Sequence, residues 1–198
     1  MKKIFTLLAF GFISFVGISQ TLEFGPLIQY HRTAFRFEDK SKIVVGDNNI
    51  NYGTKTTESD AHIAFGGYAA YYTENTFSYA VDLFYVSISS PNYGDNTFHS
   101  INLLPTVGAE LWNTHLHANV GIGAGFFINK PSFENVQDVE PDNFKSIDGL
   151  LKLALQYRIK NVLSIDGGVL YGLSYIVDEQ KRFHFYIGTR IPVNLFFK

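Results

Sequence analysis

Between His115 and Ile128 an apolar side chain stands at every second position: Leu116, Ala118, Val120, Ile122, Ala124, Phe126 and Ile128. His115, His117, Asn119, Gly121, Gly123 and Gly125 occupy most of the positions between them. Side chains of an extended strand point alternately to its two faces, so this stretch reads as a β-strand between two unlike environments. Two properties narrow the folds open to it. It is far longer than the about 5–6 residues of an ordinary strand. Its second face is small and uncharged rather than studded with Lys and Glu. A strand of about 9–11 residues or more, apolar on one side and small or polar on the other, is the unit of a bilayer-spanning barrel.

The pattern recurs seven more times. A first strand over 22–32 sets Leu22, Phe24, Pro26, Ile28 and Tyr30 against Glu23, Gly25, Gln29 and His31. Others are expected over 61–72, 77–89 and 98–112, where Asp82 and Glu110 fall on the polar side. Three more follow the 115–128 strand, over 147–159, 162–175 and 183–197. Their polar faces carry Lys152 and Arg158, then Asp166, then His184 and Arg190.

The links alternate in length. Residues 73–76, 113–114 and 160–161 are tight turns, whereas 33–60, 91–97, 129–146 and 176–182 are longer and polar. In an up-and-down meander this puts turns at one end and loops at the other, the arrangement of outer-membrane barrels. The expected fold class is therefore all-β, an eight-stranded antiparallel up-and-down transmembrane β-barrel.

The apolar face is expected to meet lipid. Eight strands enclose an interior just wide enough for side chains to fill, and Phe, Tyr, Leu and Ile in nearly every slot would overfill it. The Gly, Ala and Ser of the polar face fit a narrow lumen and make a poor water-facing surface. Composition agrees: 19 Phe, 12 Tyr and 17 Gly stand beside only 16 Lys plus Arg. A net charge of −2 with no basic stripe gives no nucleic-acid footprint. Absent cysteines exclude disulfides and thiolate metal sites. Aromatics near strand ends suit interfacial girdles, Tyr71, Phe77, Trp112, Tyr157 and Phe197 at one rim and Tyr30, Tyr85, Phe98, Phe126, Tyr175 and Phe183 at the other.

Lys2-Lys3, an apolar run from Ile4 to Ile18 and the small residues Gly17 and Ser19 read as a secretory signal over 1–19. The barrel domain is expected over 20–198, with a net charge of −4 once Lys2 and Lys3 are removed.

The charged residues of the polar face, Glu23, Asp82, Glu110, Lys152, Arg158, Asp166 and Arg190, are expected to form a structural charge network in the lumen, because buried charges require partners. The competing reading of the same residues is a gated pore or proton path. His115 and His117 lie two apart on one strand face, but no third ligand is visible and no metal is expected. His31, His99, His184 and Ser174 fall toward the loop end without the spacing of a Ser-His-acid set. No catalytic residue and no cofactor is assigned.

The leader, the eight strands, the alternating links and the ending Leu195-Phe196-Phe197 together resemble the small outer-membrane β-barrel families of the OmpA/OmpX kind. The sequence Ile18-Ser19-Gln20 and the chain length look more like the PorT-type barrels. The resemblance implies that the terminal aromatic, Phe197, is read by the barrel-assembly machinery, although Lys198 follows it here. It also implies a non-enzymatic structural, adhesive or secretion-accessory role in the outer membrane of a Gram-negative bacterium. Outer-membrane lipid surrounds such a barrel, and an envelope protein partner would engage loop 129–146 or 33–60. The rival readings are an outer-membrane lipid-modifying enzyme of the lipid A deacylase or acyltransferase type, and a soluble periplasmic lipocalin-like ligand-binding barrel.

Overall fold

The computed structural model describes residues 21–46, 49–73, 76–90, 97–129, 144–159, 162–176 and 180–193, with the side chains of 38–53 excepted. The expected leader, 1–19, and Phe197 lie outside the described residues. The strands are β1 (Thr21–Gly46), β2 (Asn49–Thr56), β3 (Asp60–Tyr72), β4 (Phe77–Ser89), β5 (Thr97–Leu111), β6 (Leu116–Phe127), β7 (Ile147–Ile159), β8 (Leu163–Gly172) and β9 (Lys181–Arg190).

From β3 to β9 each strand pairs antiparallel with the next. β1 pairs with β3 from Thr21 to Thr33 and, along its other edge, with β9 from Leu27 to Arg36. That second pairing closes the sheet into an eight-stranded barrel whose wall has no lateral edge, with β2 outside the closure. An antiparallel meander closes this way only with an even number of strands, since the first and last must run in opposite directions.

The ninth strand is a correction to the sequence reading. Link 33–60, expected as an open loop, continues β1 to Gly46 and returns as β2, paired from Arg36↔Thr56 to Gly46↔Asn49. Ile43-Val44-Val45 and Ile50-Asn51-Tyr52 supply the β-branched and aromatic residues that favour extended backbone. The neighbouring Lys, Asn and Gly residues mask that signal. The last strand also differs, running over Lys181–Arg190 rather than 183–197, and 194–198 lie outside the described residues. Pro192 has no N–H to donate to a ladder. The strand expected over 162–175 is shorter too, Leu163–Gly172.

Tight turns gather at one end of the barrel. Trp112, Asn113 and His115 take positive φ of 54°, 53° and 61°, and Thr76 takes 66°. The β1–β2 hairpin lies at the other, the loop end, where the described chain breaks off after Ser90, Asn129 and Ile176.

The faces sort as the alternation requires. Ile63 is 66% and Phe185 58% exposed, with Phe24, Leu83, Val120 and Leu153 also on the outside. Glu23, Asp82, Lys152, Asp166 and Arg190 are buried within. The lumen is not uniformly polar, however. Phe35, Ile88, Phe98, Phe127 and Ile176 are buried in an apolar cluster, and Phe144 packs against it. Phe98, expected in the outer girdle, is fully buried and belongs to this cluster. Its ring lies 5.6–6.0 Å from those of Phe35, Phe127 and Phe144.

Candidate functional site in the barrel lumen

The lumen is filled in layers. At the middle, Lys152 Nζ on β7 and Arg190 Nη2 on β9 each donate to Asp82 Oδ2 on β4 at 2.7 Å. Asp166 of β8 stands 3.7 Å from Lys152 and 3.6 Å from Arg190. Two carboxylates and two cations thus share one compact cluster, each of the four buried from bulk solvent. In such a setting each charge is tolerable only because its partners are present. The Tyr186 and Tyr68 rings lie 5.5 Å from Lys152 and Arg190, adding cation–π contacts.

Toward the turn end, Arg158 Nη2 donates to Glu23 Oε1, and its guanidinium lies 3.6 Å from the centre of the Tyr72 ring. Gln156 joins the two layers, donating to Tyr72 Oη at 2.9 Å and accepting from Arg190 Nη1 at 3.3 Å. Six of the seven residues expected in a lumen charge network therefore lie in these two layers.

Glu110 is the exception. Its Oε1 accepts the backbone N–H of His115 at 2.8 Å, with His115 Nδ1 3.7 Å away. The left-handed backbone of the β5–β6 turn leaves the His115 amide without a ladder partner, and Glu110, the last inward position of β5, caps it. This carboxylate serves the turn, outside the network.

Toward the loop end stands a pair that the sequence reading missed. Arg182 Nε donates to Asp148 Oδ2 at 2.6 Å, and its Nη1 and Nη2 donate to Ser100 Oγ at 3.3 Å and Asn102 Oδ1 at 3.0 Å. Arg182 is 1% exposed and Asp148 0%. Its planar fork needs room, and Gly125 of β6 makes it: a Cβ there would run into Arg182 Nη2. Placing Arg182 in a polar link hid it. Its parity with His184, Tyr186, Gly188 and Arg190 was the signal that assigns it to the lumen.

The candidate histidines divide. His31 and His184 come together, ring centroids 5.5 Å apart and both buried. His31 Nε2 bonds Gln29 Oε1 at 3.0 Å, and His184 Nδ1 bonds Thr33 Oγ1 at 2.9 Å. His99 instead lies outside the lumen, 2.6 Å from Tyr85 Oη. Ser174 Oγ accepts the Gly149 N–H at 3.2 Å. No Ser-His pair forms among them. His115 sits exposed in a turn while His117 is buried against the Tyr72 ring, 5.5 Å between centroids. Among the described residues no group of three or more His, Asp or Glu is placed to hold a metal ion.

No protein-family model and no curated protein matches the chain. Solved structures do. Ail, the attachment invasion locus protein of Yersinia pestis, determined in complex with the heparin analogue sucrose octasulfate, superposes with a TM-score of 0.51 at 13% identity, covering 85% of this chain and 96% of Ail. Neisserial surface protein A superposes with a TM-score of 0.48 at 11% identity, covering 88% of this chain and 99% of that one. At such identities the likeness is one of fold. The chain has the fold of the small eight-stranded outer-membrane β-barrels.

Proposed function

We propose that the protein is a non-enzymatic integral barrel of the Gram-negative outer membrane, a closed scaffold whose loop end is the surface that meets other envelope components. The observation that carries this reading is a lumen that the described residues fill with side chains beneath an apolar exterior. Paired charges at Glu23–Arg158, Asp82–Lys152–Arg190 and Asp148–Arg182 fill it, and the phenylalanine cluster follows them at the loop end. Packed in this way among the described residues, the interior argues against a ligand cavity of the lipocalin kind and against an aqueous path for a solute. The apolar belt requires a bilayer.

The tight turns face the periplasm and the loop end faces outward. There the β1–β2 hairpin extends past the barrel wall, beyond the last β1–β9 pair at Arg36, as a two-stranded ribbon. An adhesive or secretion-accessory contact would use this hairpin or the 129–146 link. The sealed burial of His31 and His184 supports a non-enzymatic role over lipid modification, because a catalytic histidine must reach its substrate.

Membrane fractionation with a heat-modifiable gel shift tests the architecture. The protein is expected to require detergent and to migrate as a compact barrel until boiled; solubility without detergent would overturn the reading. Planar-bilayer recording tests the sealed lumen, with no steady conductance expected.

A further inference from the structure

Along the eight barrel strands, every outward position from β3 through β8 is uncharged. Among the described residues, the charges on the outside of the barrel wall stand on the two strands that close it: Arg32 and Arg36 on β1 and Lys181 on β9. All three are cationic and all lie near the loop end. Arg36 and Lys181 are direct cross-strand partners. Like charges so placed repel each other and destabilise a sheet unless an anion lies against them. None of the close ion pairs among the described residues involves any of the three, and the Asp60 carboxylate, which lies within electrostatic reach of Arg32, is held by Ser89 and Ala61. Instead Arg32 donates to Ser59 Oγ at 2.8 Å, Arg36 to Thr54 Oγ1 at 3.2 Å, and Lys181 Nζ lies 4.7 Å from the centre of the Tyr175 ring.

Directly below, toward the membrane middle, runs a groove of about 380 Å³ on the outer wall, lined by Tyr30, Arg32, Gly168, Val169, Phe185 and Ile187. Arg32 is both the upper lip of this groove and the lower member of the cation set. From Arg32 to Arg36 is about 13 Å along β1 at 3.3 Å per residue. A ligand that satisfies both features must join an anionic head to an apolar chain.

We propose that this face of the β1–β9 seam is a binding site for a phosphorylated lipid of the outer leaflet. Its phosphate would lie against Arg36, Lys181 and Arg32, and an acyl chain in the groove below. Position favours a lipid over an acidic protein, because the cations are continuous with the lipid-facing belt. The inference rests on the outer-membrane reading above, which sets the loop end at the outer surface.

The test uses the full-length barrel in nanodiscs doped with diphosphorylated lipid A or with its dephosphorylated form, followed by detergent exchange and native mass spectrometry of retained lipid. The wild type is expected to retain the phosphorylated form preferentially, and to lose it as ionic strength rises. At the strength of a typical cation–anionic-lipid contact, retention falls about fivefold for each cation removed, so about 25-fold for R36Q/K181Q. R36K/K181R should retain it. A heat-modifiable shift verifies that each variant is folded, and the salt dependence of the wild type needs no variant at all. Equal retention of both lipid forms, or no effect of R36Q/K181Q in a folded barrel, would overturn the site. Failure of the wild type to enter a bilayer would overturn the outer-membrane reading instead.

Discussion

Lys152 Nζ lies 2.7 Å from Asp82 Oδ2, tying β7 to β4 across the lumen. These strands are not neighbours in the sheet. The pair therefore braces opposite walls of the barrel, a constraint that no backbone ladder supplies. Arg190 shares the same carboxylate oxygen.

Removing that carboxylate leaves two buried cations facing Asp166 alone. Asp82→Asn is expected to destabilise the barrel by about 3–5 kcal/mol, the cost of breaking a buried ion pair on one side. Urea titration in lipid vesicles, read by tryptophan fluorescence or gel shift, measures it. A change below about 1 kcal/mol would mean that water reaches the cluster.

Gly125 and Arg182 should be coupled. Gly125→Ala places a methyl group where the guanidinium sits, so it is expected to destabilise the wild type. In an Arg182→Ala background the same substitution should cost less. A double-mutant cycle is expected to give a coupling of about 0.5–3 kcal/mol.

Depth along the outer wall should grade the cost of a charge. Leu153 lies on the outward face near the middle of β7, and Tyr157 lies near its turn end. Leu153→Arg is expected to cost about 2–4 kcal/mol and Tyr157→Arg about 0–1 kcal/mol for the charge itself. Reversible folding into vesicles discriminates them, and equal costs would argue against a bilayer around this face.

The hairpin should be dispensable for the barrel. β1 pairs with β3 and β9 only up to Arg36, so replacing residues 38–53 with a short Gly-Ser link leaves every barrel ladder intact. The compact, heat-modifiable form should persist, with a thermal midpoint close to that of the wild type. Loss of the folded band would assign the hairpin a role in folding.

What the sequence determined by itself was local and periodic. β4 and β7 occupy the residues expected for them, Phe77–Ser89 and Ile147–Ile159, because side chains must alternate across an extended backbone and two unlike solvents make that alternation visible. The outward direction of Phe24, Leu83 and Leu153 followed from volume, since eight strands cannot enclose that many large side chains. Tertiary structure decided everything that depends on who stands across the lumen. Asp82 and Lys152 are 70 residues apart, and spacing along the chain carries no record of their meeting. Glu110 shares their polar parity, yet it turns to a backbone amide because the adjacent turn leaves that donor unpaired. Phe98 shares it too, and packs inward with Phe35 and Phe127, because the loop end of the lumen is sealed by apolar contacts where the rest is sealed by charge. Alternation specifies a face; only closure of the barrel, by β1 on β9, specifies the partners waiting on it.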